Sequence, residues 1–443
     1  MHRLHAAQYA ALLTPYRMQL TALPNAPYCV LSPASTTMQS NRPKGNRHWG
    51  WIISSAFKDF FNHNANYIEY MQKRLNEIDG LRGWASLVVL TFHMTWEMFG
   101  SVFPVYRLYF LRFFLDGSLA VGVFFVLSGD ALSNGFLANG NYRSLVRLVM
   151  KRYFRLAGPI LLSCSVVYLL LKLNMSFSHL AARIVGSEDW LAVVLPFDAS
   201  FFPMLDYGLI RVFTEHSVDI SYNPFLWPMS TELYGSFFIF GILFSFRHLK
   251  RPLFIVAAIA GYLWILGSIY SLFFVGLCFS ILRTENFFEK VKKSPKARLS
   301  FLGLFLLVVA DALLTLFNFT SLQVLMLMAA SIVFLVYSNE NLISFFSNKL
   351  SRYLGRISFP LYLCQFSVII SYTSWITINY RRHNILDFSH SILIVISSIF
   401  VTFIVAEIFA RIEKWYLGKL NSVVTGLLNS QDCESGKVNP SSG

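Results

Sequence analysis

Ten runs of apolar residues, separated by short clusters of Lys and Arg, constrain this 443-residue chain more than any other feature. They cover about 81–99, 117–137, 156–173, 225–246, 252–267, 269–282, 299–317, 321–337, 357–378 and 388–410. A helix needs about 20 apolar residues to cross a hydrocarbon core roughly 30 Å thick. The expected fold is therefore all-α: a polytopic membrane helical bundle of about ten transmembrane helices. Composition agrees, with 55% apolar and only 14% charged residues, against about 25% charged in soluble domains. The mean hydropathy is +0.52.

The net charge of +14 suggests a nucleic-acid ligand until the basic residues are placed. They gather in alternate connections. One set holds Arg143, Arg147, Lys151, Arg152 and Arg155, then Arg247, Lys250 and Arg251, then Arg283, Lys290, Lys292, Lys293, Lys296 and Arg298. Lys73, Arg74, Lys349, Arg352, Arg356, Arg411, Lys414 and Lys419 continue it. The opposite set is smaller: Arg107, Arg112, Lys172, Arg183, Arg211, Arg381 and Arg382. This is the positive-inside bias, and it predicts cytosolic termini at both ends. No nucleic-acid partner is expected. The five cysteines are scattered without a CxxC, which indicates neither a metal site nor a disulfide frame. A phosphate-binding loop of the GxxxxGK[ST] type is absent, arguing against ATP-driven transport.

Three regions follow. Residues 1–72 read as a poorly structured N-terminal extension, dispensable, with Met71 as a natural alternative start and no apolar core of a signal peptide. Residues 73–416 form the membrane domain, and 417–443 a polar C-terminal tail. The stretch 174–224 is the longest connection between spans and faces outward. Its length and its aromatics, Trp190 among them, suit a lid or an acceptor-binding surface.

Ionisable residues inside the apolar runs carry the functional signal. Placing a charge at a span's centre costs about 2.5–3.5 kcal/mol on insertion scales, so each is a functional candidate. The first run, EIDGLRGWASLVVLTFHMTWEMFG, holds Arg82 and His93. Eleven helical steps separate them, which returns the direction to within about 20° after about 16 Å. Both should point to one side of one helix. Glu232 enters the fourth run about 10 Å from its outer start, close to the level of His93, so the two are expected to meet. Arg152 and Arg155, three apart on one helix face, are expected with Arg82 at the inner mouth.

Several of these stretches resemble the acyltransferase-3 family of integral membrane O-acyltransferases. IDGLRG (Ile78 to Gly83), whose Arg82 is separated by ten residues from His93, is similar to that family's opening span. GVFFVLSGDALSNGF (Gly122 to Phe136) resembles its second span, with Asp130 as an uncommon acid after Gly129. KRYFRLAGP, NPFLWPMSTELYGSFF, LGRISFPLYLCQF and AEIFARIEKW follow in the family's order over about residues 73–416. Gln365 stands where the family often has His, and Trp415 where it usually has Pro.

The resemblance implies transfer of an acyl group, acetyl as the first expectation, from acyl-CoA to a hydroxyl. The acceptor would be extracytoplasmic or lipid-linked, a carbohydrate first of all. No permanently bound cofactor is implied; acyl-CoA is a substrate. His93 and Glu232 are then the catalytic candidates. Arg82, Arg152, Arg155 and Gln365 are the donor-binding ones, with no metal. The partners are the lipid bilayer, acyl-CoA and the acceptor, and the setting is a multi-pass membrane protein, of the cell membrane in a bacterium. The alternatives are a secondary transporter or acyl-group permease using the same polar path without catalysis, and a non-catalytic membrane binding partner.

Overall fold

Helices account for the regular structure among the described residues, and no strand occurs there. The computed structural model describes residues 75–295, 299–317 and 319–435, all within one unit, Arg74–Gly443. The expected extension 1–72, the start at Met71, Lys73, Arg74, Lys296, Arg298 and the end of the tail lie outside the described residues.

In chain order, α1 (Asn76–Phe92) leads into a wider π turn over His93–Glu97. The short α2 (Tyr109–Leu115) precedes α3 (Gly117–Asn139) and α4 (Tyr142–Lys172). The long connection then holds α5 (Ser178–Val185), a π turn over Glu188–Ala192 and α6 (Phe201–Asp206). Next come α7 (Pro228–Ser245), α8 (Pro252–Ile265), α9 (Ser271–Thr284) and α10 (Phe287–Lys293). The last third comprises α11 (Leu299–Leu316), α12 (Leu322–Tyr337), α13 (Glu340–Phe346) and α14 (Lys349–Val368). After a π turn at Ile369–Thr373 it ends with α15 (Ser374–His383) and α16 (Phe388–Ser435).

Each of the ten apolar runs is helical, and the protein is an integral, multi-pass membrane protein. By length and composition, six helices can cross a membrane, or up to eight if each of two bent pairs is one span. The pairs are α9 with α10, bent by 72°, and α12 with α13, bent by 99°. The expected count of about ten is larger because it includes α1 and α8, which have 17 and 14 residues.

Two boundaries differ most from expectation. The third run starts at Tyr142, not near residue 156, because its basic first half is helical too. The last helix runs to Ser435, which makes most of the expected polar tail helical. No proline interrupts residues 388–435, so polarity alone did not stop it. At about 1.5 Å per residue, its 48 residues span about 72 Å, more than twice a hydrocarbon core.

Ends are set by local chemistry. Asp116 accepts from the Leu119 amide (2.8 Å) at the start of α3, and Asn348 accepts from Ser351 (2.8 Å) at the start of α14. Such side chains satisfy amides left free in a first helical turn. Gly140 closes α3 with φ +60°, a conformation that favours glycine.

The central helix α1 packs most extensively on α14. Glycine makes this approach close. A Cβ at Gly83 would overlap the Gly355 amide, and one at Gly355 would overlap the Asp79 carbonyl. Lipid supplies little hydrophobic drive between helices, so close backbone packing through small residues supplies the attraction. The glycines of IDGLRG and LGRIS are the two sides of this seam.

Candidate functional site

His93 sits where α1 loosens into its π turn, with the Met98 amide reaching back to the His93 carbonyl (3.2 Å). Single π turns inside helices recur at functional sites. The imidazole is buried at 7% exposure. Its Nδ1 lies 3.3 Å from Gln365 Oε1 on α14, while the Gln365 Nε2, also buried, has no hydrogen-bond partner.

Two aromatic rings lie parallel to the imidazole. Phe225 stacks on it at 3.8 Å between centroids and 9° between planes. Trp190 lies at 6.0 Å and 16°. Asn223 fixes Phe225: its Oδ1 accepts from the Phe225 amide (3.1 Å), and its Nδ2 donates to Ser163 Oγ (2.9 Å) and the Leu363 carbonyl (3.1 Å). The Tyr362 hydroxyl donates to the Phe225 carbonyl. Trp190 comes from the long connection, which Ser187 ties to the Glu97 carbonyl at 2.8 Å. The segment expected as a lid or surface thus lays one ring beside His93.

A second polar group lies between α1, α3, α4 and α7. Arg152 Nη2 meets Glu232 Oε1 at 2.5 Å, and Arg152 Nε donates to Ser236 Oγ at 2.7 Å. Ser128 Oγ donates to the same Glu232 oxygen (2.8 Å) and accepts from Arg82 Nη2 (2.8 Å). The Arg82 Nε is buried without a partner. Two guanidiniums against one carboxylate leave the group cationic. Arg155 is exposed and within electrostatic reach of Arg152 and Arg82.

The geometry revises the expected pairings. His93 is bonded to Gln365, and Glu232 is held by Arg152 and Ser128. The reason is the early start of α4, which carries Arg152 about 15 Å along its helix and into the bundle. Arg152 is 8% exposed, not a surface group at a mouth. Ser128, Ser236, Asn223 and Phe225 were not singled out in the sequence, although Ser128 lies in FFVLSG and the other three in NPFLWPMSTELYGSFF.

A family model for an acyltransferase domain matches residues 75–411. The chain belongs to the acyltransferase-3 family. No curated protein and no solved structure matches it significantly. In this membrane acyltransferase, the match begins with α1 and ends within α16, so it takes in both polar groups.

The acyltransferase has a third buried group, built on the uncommon Asp130. Its two oxygens accept from Arg283 Nη1 (2.6 Å) and Nη2 (2.7 Å). The Tyr337 hydroxyl donates to Oδ2 (2.6 Å), and the Arg283 head lies 4.7 Å above the Tyr337 ring. The carboxylate thus accepts three hydrogen bonds, two of them charge-assisted and from one guanidinium. This group joins α3, α9 and α12, and it reads as a clamp between helices.

The long connection has its own polar tie. The Tyr207 hydroxyl shares hydrogen bonds with His216 Nδ1 (2.8 Å) and Ser221 Oγ (2.6 Å). Burial pushes the His216 imidazole down from 6.5 to about 4. The unfolded segment therefore takes up its proton first on acidification. Its stability is whole above about pH 6.5 and declines as the pH falls towards 4. Protection of the amides over residues 207–223, measured relative to their intrinsic exchange rates, should fall between pH 7 and pH 5. Protection that stays constant on that measure would refute the role of His216.

Proposed function

We propose that this acyltransferase moves an acyl group, acetyl in the simplest case, from acyl-CoA to a hydroxyl of an extracytoplasmic or lipid-linked acceptor. A carbohydrate is the leading acceptor class. In this reading the ten helical runs cross the bilayer with both termini cytosolic, as the basic clusters indicate. One observation carries the reading: a buried imidazole and a cationic group hang on α1 and the π turn that continues it, through Arg82 and His93.

The donor's pyrophosphate needs cationic donors. A guanidinium presents two N–H groups to phosphate oxygens in a fixed plane, which an ammonium cannot do. Arg82, with a free Nε, is assigned to that contact, and the exposed Arg155 to the outlying phosphate. Arg152 supplies positive field from within. Glu232 acts by holding Arg152 and, through Ser128, Arg82; this replaces the expected contact with the imidazolium.

His93 acts as general base. The acceptor oxygen bonds to the thioester carbon while its proton moves to the imidazole. The C–S bond then breaks, sulfur leaves with the electron pair, and the imidazolium returns the proton to the thiolate. The products are the acyl ester and free coenzyme A. No further reactant is required.

The test uses purified protein in lipid nanodiscs with acetyl-CoA. Thiol release that requires both the acceptor and His93 supports acyl transfer; passage of an acyl compound with the thioester intact would favour a permease. Arg82→Lys keeps the charge and loses the fork. The expected result is a donor KM raised about tenfold with a smaller change in kcat, a difference of about 1.4 kcal/mol in donor binding. An unchanged donor KM would remove Arg82 from the phosphate contact.

A further inference from the structure

We infer that Gln365 sets the tautomer of His93 and reserves its own amide N–H for the reacting carbonyl. This rests on His93 being the base. Gln365 is fully buried. Its Oε1 faces His93 Nδ1 at 3.3 Å, and its Nε2 has no partner. A neutral imidazole carries one proton on two nitrogens, and the bond made by one nitrogen decides the state of the other. A carbonyl oxygen opposite Nδ1 holds the proton there. The lone pair is then on Nε2, the nitrogen available to a hydroxyl. Phe225, stacked on the ring face, resists tilting of the ring away from this geometry.

The unpaired Nε2 is the second observation. A buried amide donor without an acceptor is unusual and calls for a ligand. A thioester carbonyl oxygen only accepts, so it matches. As the hydroxyl oxygen adds to the carbonyl carbon, the C=O π pair moves onto oxygen, and the amide N–H donates to the growing negative charge. The hydroxyl proton goes to His93 Nε2. When the tetrahedral centre collapses, C=O re-forms, C–S breaks, and the leaving thiolate takes that proton. One side chain thus acts on both reactants: its oxygen as a positioning group behind the base, its nitrogen on the acyl carbonyl.

A glutamate at this place would keep an acceptor for Nδ1–H and, when ionised, lose the donor; a methionine would lose both. The variants Gln365→Glu and Gln365→Met are therefore compared in nanodiscs, using protein labelled with ¹⁵N in histidine. The His93 signals are assigned by their loss in His93→Gln. The expected parent spectrum has the proton on Nδ1. Gln365→Glu should retain a proton on Nδ1, whereas Gln365→Met should lose that preference. In turnover, Gln365→Glu should lower kcat about 100-fold with little change in donor KM. A parent spectrum with the proton on Nε2, or Gln365→Glu with parental kcat, overturns the inference. Full activity in His93→Ala would instead overturn the general-base reading, and the tautomer spectrum would still report on the pair.

Discussion

Replacing His93 by alanine should reduce acyl transfer by a factor of about 10²–10⁴, the usual contribution of a positioned general base. The protein should still insert and accumulate. The measurement is acceptor-dependent thiol release per mole of protein recovered monodisperse from nanodiscs. His93→Gln, which preserves more volume and a polar tip, should be nearly as inactive, because an amide does not take up a proton near neutral pH. Near-parental turnover in either variant would remove His93 from the chemistry, and with it the reason for a buried imidazole bonded to Gln365.

The largest effect on stability is expected at Asp130. Its carboxylate has no solvent exposure and accepts both Arg283 amines and the Tyr337 hydroxyl. Asp130→Ala would leave the Arg283 guanidinium without its hydrogen-bonded carboxylate, a loss of about 3–5 kcal/mol by analogy with other broken buried pairs. Thermal unfolding in detergent, followed by size-exclusion of the protein that stays monodisperse, would show a marked fall in midpoint. The double variant Asp130→Leu with Arg283→Met removes both charges and should recover much of that loss, since apolar replacements of whole buried pairs are often tolerated. If Asp130→Ala melts with the parent, the clamp contributes nothing measurable.

The parts of this molecule legible in the sequence are those that depend on a residue's own surroundings. Arg82 and His93 stood out because ionisable groups inside an apolar run demand an explanation; His93 is buried and Arg82 partly so. The ten helical runs were visible for the same reason. Pairings were less legible, because they depend on which helices become neighbours. Glu232 and His93 were placed at one depth, yet depth says nothing about lateral position, and Arg152 and Gln365 occupy the intervening partnerships. The start of α4 was hidden by its basic residues, which read as a connection although Asn141 caps a helix there by accepting from the Arg143 amide. Phe225 was one of 43 phenylalanines. Its distinction lies in the Asn223 contacts that hold it, and these join three segments distant in the chain.

The glycine seam between α1 and α14 has a consequence for life in a bilayer of varying thickness. Helices answer a mismatch with the lipid by tilting or bending, at fractions of a kcal/mol per ångström. Two helices whose backbones touch at Gly83 and Gly355 cannot tilt independently. The adjustment then falls to the lipid-facing α11 and to the breaks between α9 and α10 and between α12 and α13. His93 and Gln365 ride on the two welded helices, so their separation should be the same in short-chain and long-chain lipids. Turnover should accordingly depend only weakly on acyl-chain length in the surrounding membrane.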